Sequence, residues 1–167
     1  MIFSDYNSVT EYLFGKIPQF QRVGASAYKP GLDNMRAMLA AIGNPQEKLK
    51  CIHVAGTNGK GSVSNLLAAT LQKAGYKTGL YTSPHLVDFR ERMRINGKMI
   101  PEQDVIDFVN KNQELIEEYS PSFFELTTLM AFDYFVRKGV DVAVIEVGLG
   151  GRLDSTNTIT HDLCVIT

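Results

Sequence analysis

The chain has 167 residues, the length of about one domain and enough to bury a proper core. Its 44% apolar and 21% charged residues are ordinary for a soluble globular protein, and a net charge of −1 supplies no field to draw nucleic acid or a membrane surface. No run reaches the roughly 18 apolar residues of a membrane span, and Met1-Ile2-Phe3-Ser4-Asp5 lacks the basic-then-apolar layout of a signal peptide, so a cytoplasmic protein is expected.

Residues 1–48 read as a lead-in of short helices packed on the domain. Leu32, Met35, Leu39 and Ile42 fall on one helical stripe, which Gly43 and Pro45 end. The stretch 19–31, with Gly24, Pro30 and Gly31, reads as a loop. From Lys50 onward strands and helices alternate. A strand at 51–55 precedes a helix at about 62–74, whose Val63, Leu66, Leu67, Thr70 and Leu71 share a face and which Gly75 closes. A strand follows at 78–82, then a small hairpin around Asn96-Gly97. Pro101 opens a helix ended by Ser120-Pro121, and another helix covers 125–137. The strand 141–147 is almost continuously apolar, as a parallel strand covered on both faces would be, and the last strand is 163–167. Cys51 and Cys164 lie inside strand-like runs and are expected to be reduced core thiols, since neither has a zinc or disulfide spacing.

The expected fold class is therefore α/β, a parallel sheet with helices on both faces. The sequence stops at Thr167, at the C-terminal end of an apolar strand. In an open parallel sheet that edge is where loops bind ligands. The expectation is a truncated chain and, with Gly56-Thr57-Asn58-Gly59-Lys60-Gly61-Ser62 as a glycine-rich loop between strand and helix, 49–167 reads as an incomplete P-loop ATP-binding domain.

The chemistry concentrates at three strand ends. Gly56-Thr57-Asn58-Gly59-Lys60-Gly61-Ser62 joins the first strand to its helix. Glycines there let backbone N–H groups approach a polyphosphate, the helix start adds its dipole, and Lys60 supplies a point charge for the β- and γ-phosphates. Ser62 is the natural N-cap and a candidate phosphate or metal ligand. The spacing departs from the common pattern: two residues instead of four separate the first Gly from Gly-Lys, and Gly61 intervenes before Ser62. Three glycines with Asn58 and Lys60, directly after a buried strand, still point to ATP rather than to a plain turn.

Glu146 stands near the end of the apolar strand, on the same edge. A buried acid is costly without a partner, so either a magnesium ion or a structural pair with Arg152 or Lys60 is expected beside it. Ser83, before Pro84 and His85, is either a ligand or a turn hydroxyl. Ser122-Phe123-Phe124-Glu125, at a helix start, is either an aromatic substrate platform or a cap with a hydrophobic staple. His53 reads as a core residue, and His85 and His161 as turn histidines. Gly148-Leu149-Gly150 opens like a dinucleotide fingerprint, but Leu153 occupies the third glycine position, which excludes that reading.

Taken together, 55–62, Ser83-Pro84-His85-Leu86, Phe124-Glu125 and the segment 146–157, with its Gly-Leu-Gly-Gly-Arg-Leu-Asp core, resemble the folylpolyglutamate synthase/dihydrofolate synthase family, a branch of the Mur-type amide ligases. The resemblance runs from about residue 30 to the end. It implies that Thr57, Asn58, Gly59, Lys60, Gly61 and Ser62 hold ATP, and that Ser83 and Glu146 carry Mg2+. It implies further that Ser122, Phe123, Phe124, Glu125, Leu153, Asp154 and Ser155 contact the pterin or folate substrate. Lys60 and Glu146 would be the catalytic residues of an ATP-dependent ligase that joins L-glutamate to dihydropteroate or a folate through an acyl phosphate. Tyr28-Lys29-Pro30-Gly31-Leu32 differs too much from the family's early loop to carry roles over. The family continues with a histidine-bearing segment, a lysine and a second, glutamate-binding domain that these 167 residues do not contain. The chain alone is thus expected to show little or no ligase turnover. The alternatives are another Mur-type ligase and a non-catalytic nucleotide-binding fragment.

Overall fold

The computed structural model describes residues 2–17 and 31–167. The loop expected at 19–31 lies, up to its last residue, outside the described residues. Helix α1 (Tyr6–Lys16) starts at Asp5, whose carboxylate accepts from the Ser8 amide. Helix α2 (Asp33–Ala41) buries Met35 and Leu39 of the expected stripe and Met38 beside them, while Leu32 and Ile42 fall at its two caps. Strand β1 (Cys51–Ala55) then leads into helix α3 (Lys60–Lys73) and strand β2 (Thr78–Tyr81). Short strands β3 (Met93–Ile95) and β4 (Lys98–Met99) form the hairpin, turning at Asn96 and Gly97, both at positive φ.

The helix expected over 101–120 is two helices, α4 (Glu102–Lys111) and α5 (Gln113–Tyr119). The break is Asn112, which is buried and donates its side-chain amide to the Phe108 carbonyl at 2.8 Å. Such local side-chain bonding competes with the helical ladder, and Asn112 leaves helical geometry at φ −110° and ψ 21°. Helix α6 (Phe123–Arg137) opens with a full capping box and precedes strand β5 (Val142–Glu146) and strand β6 (Leu163–Ile166).

Among the described residues the sheet has six strands in the order β4-β3-β2-β5-β1-β6. Strands β2, β5, β1 and β6 are parallel, as expected from the alternating pattern, while the hairpin joins β2 antiparallel. The sheet is therefore mixed. Side-chain alternation along the parallel strands decides which layer each residue serves. Val54, Leu80 and Val144 point to the α3 face and pack with Ala68, Val63, Leu67 and Leu71. Cys51, Tyr81, Ala143 and Ile145 point to the other face, into the main core shared with α1, α2, α4, α5 and α6.

One expectation about the thiols fails. Cys51 is buried, and burial together with the nearby Asp162 pushes its thiol up to about 12. Cys164 is exposed. It lies opposite His53 in register, but among the described residues β6 pairs only with β1, and only its Val165 packs against the α3 core.

Candidate functional site

Because β1, β2 and β5 are parallel neighbours, the loops after their C-terminal ends converge on one edge of the sheet. The loop after β1 makes its turn with two glycines at positive φ, Gly56 at 136° and Gly59 at 85°. A Cβ on Gly56 would stand 2.5 Å from the Thr167 carbonyl oxygen and 2.9 Å from its nitrogen, so the position requires glycine on two grounds. Thr167 closes the loop from the β6 side, its hydroxyl donating to the Asn58 carbonyl at 2.6 Å.

Helix α3 begins at Lys60, with Gly59 as its cap residue and no side-chain cap bond. Ser62 is consequently not the N-cap: it sits in the first helical turn, exposed, because the left-handed turn at Gly59 starts the helix two residues earlier. A helix start leaves its first amides without intrahelical acceptors, and these face an exposed loop of Thr57, Asn58 and Gly59. The Lys60 ammonium folds back onto the loop, donating to the carbonyls of Gly56 at 3.0 Å and Thr57 at 3.4 Å.

Glu146 falls on the α3 side of β5 by the same alternation that places Val144 there. It is buried, and Oε2 accepts the Ser83 amide at 2.9 Å. Its other oxygen, Oε1, faces the helix start, 3.5 Å from where a Cβ on Gly61 would lie. Among the described residues no ion pair joins Glu146 to Arg152 or Lys60, so the structural pair is not formed. Burial raises its pKa, against the smaller opposing effects of the Ser83 amide and the Lys60 charge. A buried carboxylate with one oxygen free toward a phosphate-type loop fits a cation at that point. Among the described residues no group of three His, Cys, Asp or Glu side chains could hold a metal by itself, so such an ion would need oxygens from its ligand and water.

The segments expected to contact a substrate are placed less uniformly. Phe124 is half-buried, its ring over Gly148, where an added Cβ would come within 2.5 Å of the ring, and 6.0 Å from the Tyr81 ring. This brings the α6 start against the loop after β5. Phe123 is buried instead, stacked on Phe14 at 5.5 Å, with the Arg92 guanidinium 5.1 Å from its centroid. Ser122 and Glu125 form the capping box, and Glu125 also accepts from Asn34 of α2 at 3.1 Å. Leu153 is exposed and Ser155 half-buried. Asp154 is turned inward: its oxygens accept from the amides of Gly148, Leu149 and Thr156 and from the Thr156 hydroxyl. A cleft of about 410 Å³ lies between the α2 start and this loop, lined by Leu32, Arg36, Arg152, Leu153 and Asn157 among others.

Arg92 went unnoticed in the sequence. It is buried, donates through Nε to His85 Nδ1 at 2.8 Å, and burial lowers its pKa. It ends the short 3-10 turn Phe89–Arg92, with Arg90 and Arg94 at the same alternate spacing, so nothing in the sequence marks which of the three turns inward. His53, expected in the core, is buried, but it is hydrogen-bonded to Thr156 at 2.8 Å rather than packed as a hydrophobe.

No family model matches the chain. A dihydrofolate synthase/folylpolyglutamate synthase of Bacillus subtilis is 39% identical over 173 residues, which covers 99% of this chain and 39% of the relative. The solved folylpolyglutamate synthase of Thermotoga maritima superposes with a TM-score of 0.83 at 45% identity, over 93% of this chain and 36% of that one. E. coli FolC in complex with DHPP and ADP gives 0.86 at 35% identity, over 98% and 38%. The chain thus spans about two fifths of the length of these relatives, in sequence and in fold alike.

Proposed function

We propose, from the premise that this chain belongs to the folylpolyglutamate synthase/dihydrofolate synthase family as a part-length relative, that it forms the ATP-holding part of an amide ligase. The reaction joins L-glutamate to a pterin-bearing carboxylic acid, dihydropteroate or a folate. ATP phosphorylates the substrate carboxylate, the glutamate amine attacks the acyl phosphate, and inorganic phosphate leaves. The relatives solved with nucleotide, among them the E. coli protein with DHPP and ADP, support this reading.

The observation that carries it is Glu146 with Oε1 free beside the Lys60 helix start. In this reading the α3 start and the loop amides hold the polyphosphate. Lys60 exchanges its bonds to the Gly56 and Thr57 carbonyls for phosphate oxygens, and its charge offsets the charge on the transferring group. Glu146 and the Ser83 hydroxyl would hold Mg2+, which supplies further neutralisation of the phosphates when bound. The Ser83 amide fixes the Glu146 carboxylate so that one oxygen stays directed at the loop. Phe124, seated on Gly148, and exposed Leu153 give the pterin apolar surface on the far side of the edge.

Titration of the chain with ATP and Mg2+ tests the reading. Lys60→Ala is expected to weaken nucleotide binding by at least about tenfold, the size of one lost charge-assisted contact. Equal affinity of the two proteins would overturn it.

A further inference from the structure

His53 has no part in the proposed phosphate chemistry, yet it is a buried, hydrogen-bonding histidine three residues before the phosphate loop. Its face of β1 is the one away from α3, so it cannot reach the loop it precedes. Its Nε2 lies 2.8 Å from Thr156 Oγ1, and Thr156 Oγ1 lies 2.5 Å from Asp154 Oδ1. Asp154 Oδ2 in turn accepts the amides of Gly148 at 3.0 Å and Leu149 at 2.7 Å. The bonds form an unbroken chain from β1 to the loop on which Phe124 rests.

Proton counting fixes the direction of this chain. Burial raises the pKa of Asp154, but three backbone amides surround its carboxylate and amides cannot accept, so the acceptor-only carboxylate satisfies the site. Thr156 has one hydroxyl proton, and at 2.5 Å it belongs to Asp154. His53 must then donate from Nε2 to the Thr156 oxygen. Burial, with a smaller effect from His161, lowers the His53 pKa to about 4, so the ring is neutral at physiological pH and carries its one proton on Nε2.

We propose that His53 is a positioning residue for the substrate loop. By donating to Thr156 it orients the threonine hydroxyl toward Asp154 Oδ1, which leaves Oδ2 to clamp the Gly148 and Leu149 amides and so sets the seat of the Phe124 ring. The proposal deepens the functional reading above, resting on it only for the identity of the bound pterin. It predicts that the pterin side of the site depends on His53 and the nucleotide side does not, although His53 is covalently closer to the nucleotide side.

The test begins without a ligand. In His53→Leu, amide exchange at Gly148 and Leu149 is expected to accelerate at least tenfold, while amides of β1 and α3 keep their rates. His53→Gln, which retains a donor at similar reach, is expected to restore the protection. Unchanged exchange at Gly148 and Leu149, an equal rise throughout the chain, or failure of the Gln variant to restore it would overturn the proposal. In a second arm, dihydropteroate and ATP with Mg2+ are titrated separately. His53→Leu should weaken dihydropteroate binding at least tenfold and leave the nucleotide affinity within twofold, whereas parallel losses would overturn the positioning role. Local exchange effects together with no dihydropteroate binding by the wild type would support the relay and overturn the substrate assignment.

Discussion

Two buried titratable residues at this site respond to pH in ways that can be worked out from their surroundings. Glu146 has its pKa raised by burial, so its native carboxylate opposes folding at neutral pH and the penalty is relieved as pH falls through the raised value. Glu146→Gln keeps an acceptor for the Ser83 amide and removes the charge. The ligand-free variant is expected to melt at the same temperature or higher, about 2–4 °C for each ~1 kcal/mol relieved at this chain length. Its nucleotide affinity should meanwhile lose its dependence on Mg2+. A scanning calorimetry trace with a clearly lowered Tm would contradict the first part. His53 behaves differently, with a folded pKa of about 4 set by burial and then by His161. Below its unfolded value of about 6.5 the unfolded chain binds a proton that the folded chain refuses, so stability drops between about pH 6.5 and 4. Replacing His53 by Gln should flatten that part of a urea-midpoint profile against pH, leaving the slope of the remaining groups.

Helix α6 shows how an element reconciles two readings of one segment. Ser122-Phe123-Phe124-Glu125 was open between a substrate platform and a cap, and its four side chains divide the work. Ser122 accepts the Glu125 amide at 3.2 Å and Glu125 accepts the Ser122 amide at 2.7 Å, which satisfies two donors of the helix start. Phe123 anchors the turn in the aromatic cluster with Phe14 and Phe89. Only Phe124 is left toward the edge, where Gly148 makes room for its ring. Ser122→Ala should therefore cost about 1 kcal/mol in urea unfolding. No measurable change would mean that Glu125 alone holds the helix start. The S-x-x-E spacing made the capping box legible in advance, and the break of α4 from α5 at Asn112 was not, because an asparagine is as compatible with an exposed helical site as with a carbonyl-capturing one.

At the scale of the molecule, the two sides of the sheet formed by the described residues differ. The hairpin blunts the β2 side with β3 and with β4, whose two residues are exposed. On the opposite side, among the described residues, β6 pairs only with β1, and Leu163 and Ile166 are 51% and 83% exposed. An apolar edge strand of this kind favours association between chains. Light scattering against protein concentration should show Ile166→Lys to be less associated than the wild type, with no loss of Tm, since the side chain is already in solvent. Among the described residues no helix is long and apolar enough to cross a membrane.

The sequence alone determined the alternation of strands and helices, the phosphate loop at 56–62, the carboxylate at Glu146 and the resemblance to folate-linked amide ligases. Each of these is a local signal: glycines that permit a turn, apolar periodicity, or a specific run such as Gly-Leu-Gly-Gly-Arg-Leu-Asp. Tertiary structure alone decided that the hairpin makes the sheet mixed, that Cys164 lies on an uncovered edge, and that Asp154 faces inward to its own loop. It also decided that Arg92 is buried under Phe123 and that His53 bonds to a threonine 103 residues away. The reason is physical. A residue's own spacing fixes which face of its strand or helix it occupies, but what covers that face depends on elements brought there from distant parts of the chain. The turn glycines of the 56–62 loop are a local signal, whereas its closure by Thr167 and the seat of Phe124 on Gly148 needed the fold.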